Sequence, residues 1–433
     1  MVTTTGQPTR TLRSRRQAPG AKATVLPAAA PAPAKKAARE KWKGLIQVEG
    51  VELKRLNGEI VTSEFAFRSL PDDRKNQVVY FGFDSDDNAA IFILDCASST
   101  VVKLLGEVGG KDEGCERMRY ISSDGTQVAR AFPDLEFTSA VLVYMGTERL
   151  LLSFGGIEVS TEELVSSFFL FDIDRRTWTE VQTEGGIPLP RSSGTGLWKD
   201  SRFYIFGGRV PGGQKEEFNL TRSYSVLAPV GKLVGGSWTI TWVWRILDKP
   251  YPDDVPSLGF MGGFAFCNGG KDVILLPGSR PKNDLVYYRD YTPVIYNFDN
   301  DSFTILGSRG DFQKLPDEVV WYHAMPPPTK SLSAKLRPFN GLDPSGKPRT
   351  VSFLMRTGTD EEGEKAMVSR LWAVSVAQDV QIQEINIHTH LNRLSIEHGV
   401  AFHGFATVKG TMYLIGESVV AGDDKDYVAK VLL

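Results

Sequence analysis

Read by its hydrophobic and polar positions, the chain from Gly44 onward is a succession of short apolar runs separated by polar turns, the pattern of strands rather than helices. One kind of run, the inner strand of a repeating unit, recurs at Val78–Phe83, Leu150–Phe154, Arg202–Phe206, Val273–Pro277, Thr350–Met355 and Thr411–Ile415. After each come a polar loop and a third strand, at Ile91–Asp95, Phe168–Ile173, Arg222–Leu227, Pro293–Phe298, Ser369–Ser375 and Tyr427–Leu433. Fourth strands follow at Val101–Leu105, Thr177–Val181, Thr241–Ile246, Ser302–Leu306 and Val380–Ile385. The sixth unit has none, and an orphan strand, Val51–Asn57, precedes the first. Pairing the orphan onto the last unit closes the array and removes an exposed sheet edge.

The pattern is densest over Leu150–Gly208. LLLSFGG and RFYIFGG recur about fifty residues apart, a period typical of propellers and solenoids. Gly155, Gly156, then Trp178, then Pro190 and Arg191, then Gly207 and Gly208 follow in order. In these residues the chain resembles the kelch-repeat β-propellers of the galactose oxidase central-domain-like superfamily. The resemblance implies an all-β, six-bladed kelch-type propeller over residues 44–433, closed by an N-terminal strand, with those seven residues as its structural motif. In later units the glycine pair becomes Pro277-Gly278, Thr357-Gly358 and Gly416-Glu417. The turn into the fourth strand also repeats, Asp174-Arg175-Arg176-Thr177-Trp178 against Asp299-Asn300-Asp301-Ser302-Phe303. An Asp opening such a turn is expected to hold the amides ahead of it.

Composition agrees with this reading: 41% hydrophobic and 10% aromatic residues with 42 glycines suit a turn-rich β protein. No run approaches the ~18 apolar residues of a membrane-spanning helix, so a soluble protein without a membrane span is expected. Cys96, Cys115 and Cys267 are odd in number and lack a CxxC pair, which argues against a disulfide framework or a cysteine zinc site and for a reducing compartment. The net charge of -2 hides an asymmetry. Residues 1–43 carry ten Lys or Arg and one acid, Glu40, a charge of +9, which leaves -11 on the remainder. With almost no large apolar side chains before Trp42, residues 1–43 are expected to be a disordered, basic Ala/Pro/Arg-rich tail. Its charges suit nuclear import, contact with nucleic acid or acidic lipid, or a mitochondrial transit segment. No apolar segment follows them as a secretory signal requires. The expected location is intracellular, cytoplasmic or nuclear, with mitochondrial import as the alternative.

Long loops between second and third strands are the natural place for recognition on a rigid scaffold. Over residues 84–90, 155–167, 207–221, 278–292, 356–368 and 416–426 they hold eighteen acids and eight Lys or Arg, a net of -10. Such a face is expected to attract a basic protein or peptide and to repel nucleic acid, leaving the tail as the only nucleic-acid candidate. Arg209, Lys282, Tyr287, Tyr288, Arg289 and Tyr291 are the candidate partner contacts, because Tyr and Arg are favoured at binding hot spots. His388, His390, His398 and His403 invite a metal reading, since in an extended segment the first two share a face. The second pair flanks an inner strand, so convergence, and with it a metal site, is not expected. Phosphate-binding, zinc-protease and nucleophile-elbow motifs are absent. The reading is a monomeric, non-catalytic interaction module without a cofactor or catalytic residues. The alternative is an enzyme or a small-molecule or metal-binding propeller of the same superfamily.

Overall fold

The computed structural model describes residues 46–57, 68–84, 88–107, 115–212, 218–234, 237–255, 264–267, 271–275, 279–281, 287–289, 294–305, 350–359, 366–376, 380–409, 411–418 and 426–432. All of them belong to one compact unit, Gly44–Leu433. The tail of residues 1–43 lies outside the described residues, as does the Pro-rich stretch 307–349.

Antiparallel sheet units follow one another along the chain and are numbered I to VI. Unit I is Arg68–Asp72, Gln77–Phe83, Ala89–Asp95 and Thr100–Gly106; unit II is Ser139–Met145, Glu148–Phe154, Phe168–Asp172 and Thr177–Glu180. Unit III is Thr195–Lys199, Arg202–Phe206, Ser223–Val234 and Ser237–Pro250; unit IV is Phe264–Cys267, Asp272–Leu275, Val294–Asn297 and Ser302–Ile305. Unit V has three described strands, Thr350–Thr359, Ala366–Val376 and Val380–Asn386. Unit VI has Val400–Val408, Thr411–Ser418 and Asp426–Leu432, and takes its fourth strand, Gly50–Arg55, from near the start of the chain. The register of that last pair runs from Gly50 opposite Leu432 to Arg55 opposite Tyr427.

Unit I packs on II, II on III, III on IV, IV on V, V on VI, and VI back on I. The described chain is therefore mostly β, in a nearly closed, barrel-like arrangement of sheets. Cores lie between neighbouring sheets. Val79, Phe81 and Ile91 of unit I meet Leu151, Phe171 and Trp178 of unit II. Leu152, Phe154 and Phe168 of unit II meet Phe203, Ile205 and Trp242 of unit III. The alternation of each strand thus serves both of its faces, which is why these runs are nearly continuously apolar.

One turn geometry is repeated. Asp72, Asp95, Asp172 and Asn297 each end a strand, and their side-chain oxygens accept backbone N–H groups two or three residues ahead at 2.8 to 3.2 Å. Four places on, Asn76, Ser99, Arg176 and Asp301 adopt φ of 57°, 59°, 56° and 54° before the next strand begins. The amide-holding residue is therefore Asp172 or Asn297, two positions before the expected Asp174 and Asp299. A side chain still in register with its strand reaches over the turn, whereas one inside the turn does not.

Outer edges are covered by linking segments. Cys115–Ile121 runs parallel to the last strands of both I and II, which makes them one ten-stranded sheet. Thr183–Glu184 runs parallel to the last strand of III, and Ile46–Gln47 to that of V. The third and fourth strands of unit III continue past the expected Leu227 and Thr241 as a long ribbon, with Val234 opposite Ser237.

The segment after unit V corrects the extended reading of the histidines. His388–His398 is a helix, α1, the single helix among the described residues. Ile387, Leu391 and Leu394 are buried in the core at helical spacing, while Ile396, Glu397 and His398 are exposed. Gly399, at φ 60°, ends the helix and donates its N–H to Ser395 O. His388 and His390, two places apart on a helix, do not share a face. No described helix is long and apolar enough to cross a membrane.

Candidate functional site

In units II, III and IV the connections between second and third strands carry small antiparallel hairpins. In unit II the strand Glu148–Phe154 leads into Gly155 and Gly156, at φ 68° and 119°. A Cβ on Gly155 would lie 2.2 Å from Arg191 O, so only glycine lets the two chains pass. Beyond them Ile157–Glu158 pairs with Glu163–Leu164, and Leu135–Glu136 adds a third strand. Unit III repeats the arrangement with Gly207 and Gly208, at φ 62° and 106°, and the pair Arg209–Pro211 with Phe218–Leu220. In unit IV, Ser279–Pro281 pairs with Tyr287–Arg289. In unit V the two strands simply run on until Thr359 faces Ala366. A signal for these hairpins was present, since Pro211-Gly212-Gly213 between Arg209-Val210 and Phe218-Asn219-Leu220 is a turn between two strand-like runs.

Of the residues expected to form the repeat motif, Arg191 and Trp178 are buried and the two glycine pairs adopt positive φ, while Pro190 is half-buried. Arg191 is fully buried and stands at the junction of II and III. Its N–H donates to Val165 O at 3.3 Å and its carbonyl accepts Gly156 N–H at 2.9 Å. Its guanidinium donates to Gly207 O at 3.0 Å and pairs with Asp248, whose carboxylate also accepts Leu189 N–H. Burial pulls the Arg191 pKa down, and the Asp248 charge partly opposes that. Trp178 is buried against Phe171, in a stacked pair at 5.9 Å, and edge-on to Phe132 at 5.6 Å.

Among the candidate partner contacts, Arg209 is half-buried and exchanges two backbone hydrogen bonds with Ser192, at 2.8 and 3.0 Å. Tyr287, Tyr288 and Arg289 form one strand of the unit IV hairpin; Lys282 and Tyr291 lie outside the described residues. The structure therefore gathers part of this set on hairpins of two adjoining units. The acids are not all free to meet a partner. Asp84 is buried and accepts Lys103 Nζ at 3.2 Å and Asn88 N–H at 2.9 Å, an internal role that corrects its place in the acidic face. Glu162 and Glu163 do face outward from the unit II hairpin, whereas Glu158 is half-buried and accepts the Thr161 hydroxyl at 2.7 Å; none of the three makes an ion pair among the described residues. No group of three His, Cys, Asp or Glu side chains suited to a metal comes together among the described residues.

The opposite ends of the sheets carry ion pairs and a cavity. Asp72 and Arg149, both buried, pair at 2.7 Å, and Tyr144 O–H donates to the same carboxylate at 2.9 Å. Burial first, and the Asp72 carboxylate second, push the Tyr144 phenol up to about 12. Between units II and III lies an open cavity of about 520 Å³, lined by Leu150, Leu170, Val181, Trp242 and the exposed Ile240 among others. Glu148, Asp172 and Arg175 sit at one end, where Arg175 pairs with the two carboxylates at 2.5 and 3.2 Å. Sequence reasoning missed this cavity because its walls come from segments far apart in the chain, among them the ribbon of unit III, whose residues 228–240 lie between the expected strands. At the junction of units III and IV, Asp301 accepts the hydroxyls of Tyr224 and Tyr296 and pairs with Lys249. Burial raises the Asp301 pKa, but these donors and the ammonium outweigh it and hold the carboxyl below its usual range. No family model matches this chain, and no curated protein matches it.

Proposed function

We propose that this chain is a kelch-type, six-bladed β-propeller that acts as a non-catalytic platform, holding a basic protein or peptide on the sheet ends that carry the hairpins. Support for the fold comes from the succession of units I to VI, the packing of VI on I, and the N-terminal strand that completes VI. The observation that carries the functional part is the row of hairpins leaving the same end of the second strand in units II, III and IV, the first of them bearing the outward Glu162 and Glu163 beside the half-buried Glu158. Hairpins on a stiff scaffold hold their side chains at low entropic cost, and carboxylates without an ion-pair partner favour a cationic one.

The test is affinity capture with the full chain, with E158Q/E162Q/E163Q and with Y287A/Y288A/Y291A. A partner that the native protein recovers at low salt, loses at high salt and loses in both variants supports the reading. Recovery of the same partner by all three proteins overturns it. The cavity between units II and III favours a second reading, a small-molecule binder, because its volume falls in the range of ligand sites. A ligand that raises the melting temperature of the native protein but not of I240K would support that reading instead.

A further inference from the structure

Residues 46–57 lie along the outer edges of three units in turn. Ile46–Gln47 pairs with unit V, Gly50–Arg55 completes unit VI, and Asn57 bridges to Thr100 of unit I. Asn57 N–H donates to Ser99 O and Val101 N–H to Asn57 O, each at 2.9 Å. Two features set this segment apart from the outer strands of units I, II and IV. Each of those is continuous with its neighbour through the turn capped by Asp95, Asp172 or Asn297, so a strand that peels away stays beside its partner. Gly50–Arg55 has no such turn. Its neighbour Asp426–Leu432 comes from the other end of the chain, and restoring the pair means closing a very long loop.

The second feature is how the segment is held. Val48 and Leu56 anchor its ends, at 8% and 5% exposure, but Val51 and Leu53 between them are less deeply placed and Glu52, Lys54 and Arg55 reach toward solvent. On Thr411–Ser418, by contrast, Met412 to Ile415 are all buried. The hold is therefore the main-chain ladder together with four apolar side chains, two buried and two partly buried, all of which any copy of the same segment reproduces in the same register. We propose that residues 46–57 exchange between copies of this chain, each copy completing unit VI of the other, to give a twofold dimer with the same pairing as the monomer. The occupant is a second copy because it alone supplies the identical ladder, both apolar anchors and the Glu52–Lys430 contact together. Association competes with closure in cis, so the exchanged form grows with protein concentration. This inference rests on the pairing of residues 46–57 and is independent of the partner reading above.

Glu52 and Lys430 are register partners, 3.7 Å apart at the nearest atoms, with both side chains open to solvent. Full-length E52C and K430C, mixed at high concentration under reducing conditions and then oxidised, report the exchange directly. Facing residues on antiparallel strands are close enough for a disulfide. The expected product is a covalent dimer joining one E52C chain to one K430C chain, in several-fold excess over dimers of either variant with itself. A mixed dimer no more abundant than the self-pairs, or no dimer at all, overturns the proposal.

Discussion

The junction between units II and III and the seam that closes unit VI both join parts of the molecule that must not slip, but they do so differently. At the junction one buried residue, Arg191, bonds the unit II hairpin through its own N–H and carbonyl, while its guanidinium donates to Gly207 O and ends on the Asp248 carboxylate. Glycines beside it allow backbones to approach more closely than a Cβ permits. At the seam there is no buried ion pair among the described residues; a ladder of main-chain bonds is backed by Val48 and Leu56 at its ends and by the partly buried Val51 and Leu53 between them. The first device is specific and intolerant of change; the second is tolerant and reversible. The hairpins of units II and III therefore stand on a junction fixed by a buried ion pair, while the seam is where the proposed exchange would open the array.

Substitutions can break or sharpen this contrast. The largest effect is expected for R191A, which leaves Asp248 and Gly207 O without their buried donor and should cost about 3–5 kcal/mol in denaturant unfolding. Next comes Gly155, where added bulk meets Arg191 O. Gly146 has nearly the same φ, 64°, with nothing within 4 Å of its missing Cβ, so G146A measures the backbone term alone, about 1 kcal/mol. G155A should exceed it by roughly 2 kcal/mol, and equal losses would show that close approach is not what fixes the glycine. At the seam, L53A should cost only about 1 kcal/mol, because its side chain is half-buried. E52Q, at an exposed pair, should lie within about 0.5 kcal/mol of the native protein.

A smaller, pH-dependent effect belongs to Asp301. Its folded pKa is depressed, so the stability it contributes is complete above the usual carboxylate range, about 3.9, and is lost as pH falls through the lower folded value. The melting temperatures of the native protein and D301N should therefore differ at neutral pH and converge in strong acid. A constant difference at all pH values would mean that charge at this position contributes nothing.

Strands inside the units were legible because each buries both faces and is bounded by turn residues, so apolar runs such as Leu150–Phe154 and Phe168–Ile173 mark them plainly. The pairing of the orphan strand was legible from counting, since one unit lacked a strand and one strand lacked a unit. The helix α1 was not. Its buried apolar positions are only Ile387, Leu391 and Leu394, with Ile396 exposed, and the alternating His388 and His390 imitate a strand at the N-terminal end. The turn caps fall two residues earlier than expected because sequence does not say where a strand ends inside Asp-Ile-Asp or Asn-Phe-Asp. The Arg191–Asp248 pair and the cavity beside Trp242 join residues far apart in the chain, and no local pattern announces such meetings. Tyr287 and Tyr288 stand out as a cluster by composition alone, and the structure adds that they form one strand of a hairpin.

The closed array can be tested most directly by whether the two distant segments lie side by side in a single molecule. In the double variant E52C/K430C, oxidised at high dilution and digested, the account predicts one intrachain disulfide between the two introduced thiols in nearly every monomer. Monomers in which both new thiols stay free, or join Cys96, Cys115 or Cys267 instead, would contradict it.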